Sequence, residues 1–208
     1  MTNETESSVR YLALGDSYTI GESVEQAGTF PFQLAGLLEK GSGLHFSEIK
    51  VIAKTGWTTA ELKDGIKRAK PKGPFQLVTL LIGVNNQYRG YDPGIYKKEF
   101  EELLLQAIDF AGGRKDWVIV VSIPDYGCTP FGAEMAVKID KELRDYNEMA
   151  RQICSQKAVS WVDIFQVSKL ALKDSNLIAS DNLHPSADMY ALWVKEILPV
   201  ATNILKHP

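Results

Sequence analysis

This sequence of 208 residues has few cysteines, a small net charge and no long apolar segment. The two cysteines, Cys128 and Cys154, form no C-x-x-C pair and are too few for a disulfide framework, so we expect two buried thiols, with a single disulfide as the alternative. The 23 basic and 26 acidic residues give a net charge of −3, which argues against a strongly basic nucleic-acid-binding protein. No apolar run approaches the roughly 18 residues that a membrane span requires.

The N-terminal segment contains no hydrophobic stretch of the kind found in a signal peptide, because its residues are mostly polar and acidic. We therefore predict a cytoplasmic protein without stable membrane insertion. A content of 45% hydrophobic and 24% charged residues is typical of a globular protein. The length fits one domain over residues 1–208, with a substantial core that needs no covalent cross-links.

Strand and helix patterns alternate along the chain. Short apolar segments rich in β-branched residues predict strands at 11–14, 49–53, 77–82, 117–123 and 159–164. Between them, apolar residues that recur three and four positions apart predict helices, most clearly over 96–111, 139–153 and 190–198. Gly112 and Gly113 are expected to end the first of these helices. Such alternation predicts a parallel sheet with helices on both faces, and ligands of these sheets bind beyond the carboxyl ends of the strands.

A candidate nucleophile follows the first predicted strand, where the sequence reads Gly-Asp-Ser-Tyr at 15–18. Ser17 lies on the turn out of the strand, where its hydroxyl faces solvent and backbone N–H groups converge. The alternative is that Ser17 only caps the next helix, since serine is a favoured N-cap residue. Thr19 replaces the second glycine of a G-x-S-x-G nucleophile elbow, which disfavours the α/β-hydrolase arrangement.

A serine nucleophile requires a base, and the sequence contains three histidines. His207 is the penultimate residue, where chains often fray, and His45 follows a linker-like segment at 41–44 that is typical of the surface. His184 instead lies after the last predicted strand, and Pro185 suits the start of the C-terminal helix. Asp181, three residues before His184, is placed to orient the imidazole, although aspartate is also a common turn residue.

Two further strand ends carry residues suited to binding an oxyanion. Asn85, after the third strand, is expected to aim its side-chain amide at that oxygen. Gly56, after the second strand, offers a backbone N–H that no side chain shields. Asparagine and glycine are also common turn residues, so neither residue is specific by itself.

Together these segments resemble the SGNH hydrolases, also called the GDSL esterase/lipase family. The matching blocks are Gly-Asp-Ser at 15–17, the glycine at 56, Gly-x-Asn at 83–85 and Asp-x-x-His-Pro at 181–185, in family order over nearly the whole chain. The resemblance implies Ser17 as nucleophile, His184 as general base and then acid, and Asp181 as its orienting partner. It implies an oxyanion hole formed by the N–H groups of Ser17 and Gly56 and by the Asn85 side chain.

The resemblance also implies a three-layer α/β/α flavodoxin-like fold with about five parallel strands. It implies no cofactor and no metal ion, in agreement with the absence of an H-E-x-x-H zinc motif or a P-loop from the sequence. Three residues depart from the common family pattern. Tyr18 replaces the usual leucine, Asn86 stands where many members have aspartate, and Trp57 stands where many have a smaller or polar residue. These departures leave the subfamily, and hence the substrate, open.

Aromatic residues of the same loops are predicted to line the substrate pocket, with packing between loops as the alternative. They are Tyr18, Trp57, Tyr88 and Tyr126. Arg89 is either a partner for a carboxylate or phosphate of the substrate or a solvated surface residue.

The predicted function is hydrolysis of small carboxylic esters through an acyl-enzyme on Ser17, in the manner of a carboxylesterase, lysophospholipase or thioesterase. The expected partner is a small-molecule ester, preferably a cytoplasmic acyl or aryl ester, with no nucleic acid. The alternatives are an acyltransferase or sugar deacetylase with the same triad, a non-catalytic carbohydrate- or lipid-binding module, or a nucleotide-binding protein. Binding alone requires no aligned triad, and a nucleotide site would leave the Asp-x-x-His pair unexplained.

Overall fold

The computed structural model describes residues 8–42 and 44–206. Five strands form one sheet: β1 (Ser8–Gly15), β2 (His45–Ala53), β3 (Leu77–Leu81), β4 (Val118–Val121) and β5 (Ser160–Val162). Their order is β2-β1-β3-β4-β5, and every neighbouring pair is parallel. All five predicted strands are therefore present, with β1 and β2 longer and β4 and β5 shorter than the apolar segments that predicted them.

Helices connect the strands. The described residues contain α1 (Ser17–Ile20), α2 (Phe30–Ser42), α3 (Thr59–Ala69), α4 (Val84–Tyr88), α5 (Pro93–Phe110), α6 (Ala136–Lys157), α7 (Phe165–Ser168) and α8 (Ala187–Lys206). The three predicted helices correspond to α5, α6 and α8. Gly112 and Gly113 follow α5 with φ angles of 67° and 82°, so the predicted stop is confirmed.

The strands in the middle of the sheet are buried on both sides. Successive side chains of a strand point to opposite faces, and every residue of β3 and β4 is buried. Layers of helices must therefore cover both faces. In one layer α8 packs along α2, and in the other α3 contacts α5, which contacts α6. This is the predicted three-layer α/β/α arrangement, and the strand order is the flavodoxin-like one.

The order of the strands fixes where a ligand site forms. The chain crosses from β1 to β2 in one direction and then returns across β1 to β3, so the connections diverge between β1 and β3. In doubly wound sheets this divergence leaves a crevice at the carboxyl ends of the strands. The loops that follow β1, β2 and β3 carry Ser17, Gly56 and Asn85 to this edge, and the loop between β5 and α8 carries His184.

Two local predictions about the histidine segments differ from the structure. The helix predicted to start at Pro185 begins at Ala187, because Pro185 pairs with Ile178 in an antiparallel bridge and the Ser186 hydroxyl accepts the Met189 N–H at 3.3 Å. His45 is exposed as predicted, but it is the first residue of β2.

The segment predicted as a linker before His45 is partly helical, since Gly41 and Ser42 belong to α2. Gly43 and His207 lie outside the described residues. The thiols of Cys128 and Cys154 are both free and buried, as expected, and burial raises the pKa of each to about 12.

Candidate active site

A pocket of about 150 Å³ lies at the carboxyl edge of the sheet. Its lining includes Ser17, Gly56, Asn85 and His184, each from a different loop. The fold therefore brings together four of the five residues predicted to carry the chemistry. The fifth, Asp181, lies directly behind His184, as described below.

Ser17 is the first residue of α1, a helix of four residues. Asp16 caps this helix, since its Oδ1 accepts the Tyr18 N–H at 3.0 Å, and Gly21 ends it with a φ of 79° and an N–H bonded to the Ser17 carbonyl at 2.9 Å. The short helix thus holds Ser17 at the pocket edge. Gly15 makes this possible, because a Cβ there would lie 2.4 Å from the Leu81 carbonyl oxygen.

The carboxyl group of Asp16 is fully buried beside the candidate nucleophile. Burial raises its pKa to about 7, against the opposing effect of backbone hydrogen bonds, that from Tyr18 foremost. Its Oδ2 has no hydrogen-bond partner among the described residues. A substantial fraction of Asp16 is therefore protonated near neutral pH. Nothing in the sequence indicated this, because Asp16 drew attention there only as part of the Gly-Asp-Ser block.

Asp181 and His184 form the contact that the sequence predicts. Asp181 Oδ2 lies 2.6 Å from His184 Nδ1, and Asp181 Oδ1 accepts the backbone N–H groups of Leu183 and His184 at 2.9 Å each. The Ser23 hydroxyl donates to Oδ2 at 2.8 Å. Partial burial acts to raise the pKa of the Asp181 carboxyl, but these hydrogen bonds outweigh it and hold the pKa well below its usual range.

The imidazole of His184 is nearly buried, with 8% of the residue exposed. The Tyr18 ring packs edge-on against it, with 5.7 Å between ring centroids, and Tyr18 also contacts Trp193 of α8. Because Nδ1 faces Asp181, Nε2 is the ring atom left to take part in chemistry. Within the described residues, no hydrogen bond joins the Ser17 hydroxyl to this ring, a geometry that is common in catalytic sites without substrate.

Three hydrogen-bond donors of the pocket lack complete partners. The N–H groups of Ser17 and Gly56 donate to no acceptor among residues 8–42 and 44–206. Asn85 Nδ2 donates to the Trp57 carbonyl at 3.0 Å, which uses one of its two protons and leaves the other. These are the three donors that the sequence assigns to an oxyanion hole.

Arg89 fixes the peptide at Gly56. Its Nη2 donates to the Gly56 carbonyl at 2.5 Å, and its Nη1 lies 3.3 Å from a carboxylate oxygen of Glu61, which forms a capping box with Thr58 at the start of α3. Gly56 has a φ of 84°, a conformation that glycine adopts without strain. Arg89 is thus exposed, as the surface alternative predicts, and it does not line the pocket, but its guanidinium group is bonded to other parts of the protein. Its role depends on a contact 33 positions away in the sequence, which no local pattern indicates.

Aromatic rings form one wall of the pocket. Tyr88, Tyr126 and Phe131 are in mutual contact, with ring centroids 6.0 to 6.4 Å apart, and all three line the pocket. Tyr18, Tyr88 and Tyr126 therefore lie where the sequence placed them, and Phe131 was missed. The loop of Phe131 is joined to the loop that carries Asp181 and His184, since its N–H bonds the Asn182 carbonyl at 3.2 Å.

Trp57 is a correction to the predicted pocket. Its ring does not belong to the pocket lining. It covers Gly65 of α3, where a Cβ would lie 2.2 Å from the ring. Asn86, the other unusual residue, is also structural, because its buried amide accepts the Thr59 N–H at 3.0 Å and donates to the Thr59 hydroxyl at 2.7 Å.

Groups of side chains suited to a metal ion are absent from the described part of the chain. In the same residues, no helix is both long and apolar enough to span a membrane.

The comparison with protein families identifies the class of protein as a hydrolase that acts on esters. The chain belongs to the GDSL-like lipase/acylhydrolase family, whose sequence model matches residues 13–192. The resemblance to SGNH hydrolases predicted from the four sequence blocks is thereby confirmed.

Several solved structures share the fold, one of them that of a lipolytic G-D-S-L family protein. A lipolytic G-D-S-L family protein from Veillonella parvula matches with a TM-score of 0.70 and 18% identity, over 93% of this chain and 98% of its own. Axe2, an acetylxylan esterase from Geobacillus stearothermophilus, matches with a TM-score of 0.69 and 22% identity, over 94% and 95%. The lipase Lip_vut3 from a goat rumen metagenome matches with a TM-score of 0.73 and 18% identity, over 93% and 98%. A comparison with curated protein sequences gives no match.

Proposed function

We propose that this protein is a serine esterase that hydrolyses small carboxylic esters through an acyl-enzyme on Ser17. The observation that carries the proposal is the convergence in one pocket of Ser17, the His184 ring and three incompletely bonded donors. Membership of a family of lipases and acylhydrolases supports the same chemistry.

Acylation begins when the Ser17 Oγ attacks the ester carbonyl carbon. His184 Nε2 takes the hydroxyl proton, and the ionised Asp181 stabilises the imidazolium that forms. The carbonyl oxygen becomes an oxyanion, which the N–H groups of Ser17 and Gly56 and the free amide proton of Asn85 stabilise. The C–O bond to the alcohol then breaks, and His184 returns the proton to the leaving oxygen.

Deacylation repeats these steps with water. His184 Nε2 takes a proton from water as its oxygen attacks the acyl carbon, and the same three donors hold the second oxyanion. The bond to the Ser17 Oγ breaks, and Oγ recovers its proton from His184.

The pocket favours a neutral substrate with an apolar or aryl group next to the ester. Its lining contains rings and small side chains, and the described residues contribute no Asp, Glu, Lys or Arg to it. Tyr88 and Phe131 are each more than half exposed at its rim, where they offer flat surfaces to an acyl chain, an aryl group or a sugar face. A cytoplasmic location stays a prediction.

The proposal is tested by hydrolysis of p-nitrophenyl esters from acetate to decanoate, together with an acetylated sugar, with the wild type and Ser17→Ala. We expect the substitution to lower kcat about 10⁴- to 10⁶-fold. Ser155→Ala is the matched control, because Ser155 is exposed on α6 and lies outside the pocket. The chain-length optimum then measures the acyl pocket.

Absence of activity with every ester, or activity that survives Ser17→Ala, would overturn the proposal. Product analysis with added sugar or alcohol acceptors separates hydrolysis from acyl transfer, the rival reaction that uses the same acyl-enzyme.

A further inference from the structure

Ser23 contacts the aspartate of the candidate triad from a distant part of the sequence. It lies in the turn after α1, and its hydroxyl donates to Asp181 Oδ2 across a separation of 158 positions. The same oxygen lies 2.6 Å from His184 Nδ1. With the two backbone N–H groups on Oδ1, the carboxylate of Asp181 has four hydrogen-bond partners, about as many as a carboxylate accepts.

The backbone of Ser23 is in an unusual conformation for serine. Its φ is 65°, in the left-handed region that glycine occupies without cost. Three other described non-glycine residues have a positive φ. Lys70 and Ala158 follow the ends of helices, where this conformation is common. Asn182 is an asparagine, a residue type that tolerates it. Ser23 has neither reason. A side chain kept at a strained position indicates that the side chain itself is required.

The turn that carries Ser23 is attached to the nucleophile and to the oxyanion loop. The N–H groups of Gly21 and Glu22 both bond the Ser17 carbonyl, at 2.9 and 3.1 Å. The Glu22 carboxylate accepts a hydrogen bond from the Thr55 hydroxyl, next to Gly56. Residues 21–23 thus connect the loop of Ser17, the loop of Gly56 and the loop of Asp181 and His184. Proton transfer between Ser17 and His184 depends on how the first and the last of these loops are placed.

We propose that Ser23 is a positioning residue that fixes the Asp181 carboxylate, and through it the His184 ring, relative to Ser17. The proposal rests on the esterase function proposed above. Ser23 does not line the pocket, so it would act through Asp181 and not on the substrate. Its hydroxyl holds one carboxylate oxygen in the direction in which Nδ1 must donate, so Nε2 keeps its aim as the imidazole gains and loses charge.

The test uses two substitutions with opposite effects. Ser23→Gly removes the hydroxyl and relaxes the backbone, so we expect a fall in kcat of about tenfold, roughly the value of one hydrogen bond to a charged group, with KM nearly unchanged and no loss of thermal stability. Ser23→Thr keeps the hydroxyl but places a β-branched residue at positive φ, so we expect lower thermal stability with kcat close to that of the wild type. If Ser23 only stabilised the fold, Ser23→Gly would lower thermal stability and leave kcat unchanged.

Ala158→Gly is the matched control for backbone relaxation. Ala158 has a φ of 54° at the exposed end of α6, so glycine relieves the same strain without changing a contact of the triad. We expect its kcat to equal that of the wild type. Equal kcat for Ser23→Gly and Ala158→Gly would overturn the proposal, since water would then replace the hydroxyl without consequence.

A second measurement requires no substrate. The NMR signal of the His184 Nδ1 proton reports the contact with Asp181, and we expect its exchange with water to be faster in Ser23→Gly than in the wild type or Ser23→Thr. If the wild type hydrolyses no ester but exchange responds in this way, the esterase function fails and the positioning role stands. If exchange and kcat are both unchanged in Ser23→Gly, the positioning role fails.

Discussion

Two aspartates of the same site differ in nearly every physical respect. Asp16, next to Ser17, is fully buried, and its Oδ2 has no partner among the described residues. Asp181, behind His184, is partly exposed and has four hydrogen-bond partners. Burial raises the pKa of Asp16 to about 7, whereas hydrogen bonds hold that of Asp181 far below its usual range. A position next to the candidate nucleophile therefore does not by itself give a carboxyl group a role in the chemistry, because the environment decides its charge.

Replacement of the charged member should have the largest effect. In Asp181→Asn the amide no longer stabilises the imidazolium, and it favours the wrong ring tautomer. We expect kcat to fall by about 10⁴-fold with little change in KM, measured with the best p-nitrophenyl ester. The same substitution at exposed Asp188 is the control. A fall of less than about tenfold would contradict a triad in which Asp181 orients His184.

Replacement of Asp16, the buried aspartate, should change the stability of the protein and leave the charge of Asp181 and His184 unaltered. The folded-state pKa of Asp16 is raised above that of the unfolded chain, so the native state binds more protons between about pH 4 and pH 7. The stabilisation from the protonated carboxyl is complete below this range and is lost as the pH rises through about 7. A pKa difference of about 3 corresponds to about 4 kcal/mol.

Asp16→Asn tests this reasoning, because asparagine keeps the acceptor for the Tyr18 N–H and is neutral at every pH. Urea unfolding of both proteins from pH 4 to pH 8 should show the wild type losing stability relative to the variant as the pH rises. If the difference in stability between the two proteins did not change with pH, Asp16 would be ionised over this range. The proposed difference in charge between Asp16 and Asp181 would then be wrong.

The same pocket also contains a neutral polar side chain, that of Asn85. Asn85 carries no charge, so its removal should affect the oxyanion and the one hydrogen bond that its amide donates to the Trp57 carbonyl. We expect Asn85→Ala to lower kcat by about 10²- to 10³-fold, the usual effect of losing one oxyanion donor. Thermal unfolding measured alongside separates this effect from loss of the bond to the Trp57 carbonyl. Full kcat at unchanged stability would remove Asn85 from the oxyanion hole.

The elements of the fold were predictable because their signals are local. The central strands are nearly continuous in apolar residues since both of their faces are covered, and α5, α6 and α8 show one apolar stripe each because one side faces the sheet. The catalytic blocks were predictable for a related reason. Three of these candidate blocks are short runs of residues soon after β1, β2 and β3, and parallel strands bring those ends together, whereas the Asp-x-x-His-Pro block lies later, in the longer segment between β5 and α8.

The remainder of the site depends on contacts between loops, which no local pattern reveals. Trp57 was predicted to line the pocket because it follows Gly56 in the sequence. Its ring instead packs on Gly65, where the absence of a side chain leaves room for it. Phe131 and Ser23 were missed because their partners, Asn182 and Asp181, lie far along the chain. The burial of Asp16 was likewise hidden, since it depends on how distant parts of the chain pack around the end of β1.

The separation between Ser23 and Asp181 also has a consequence for how the protein folds. A contact across 158 positions joins the first crossover of the sheet to the segment before the last helix. Closing so long a loop is costly before the intervening strands have paired, and parallel sheets form slowly for the same reason. The site should therefore be completed among the last steps of folding. Recovery of esterase activity during refolding would then report arrival at the native state, later than the return of secondary structure.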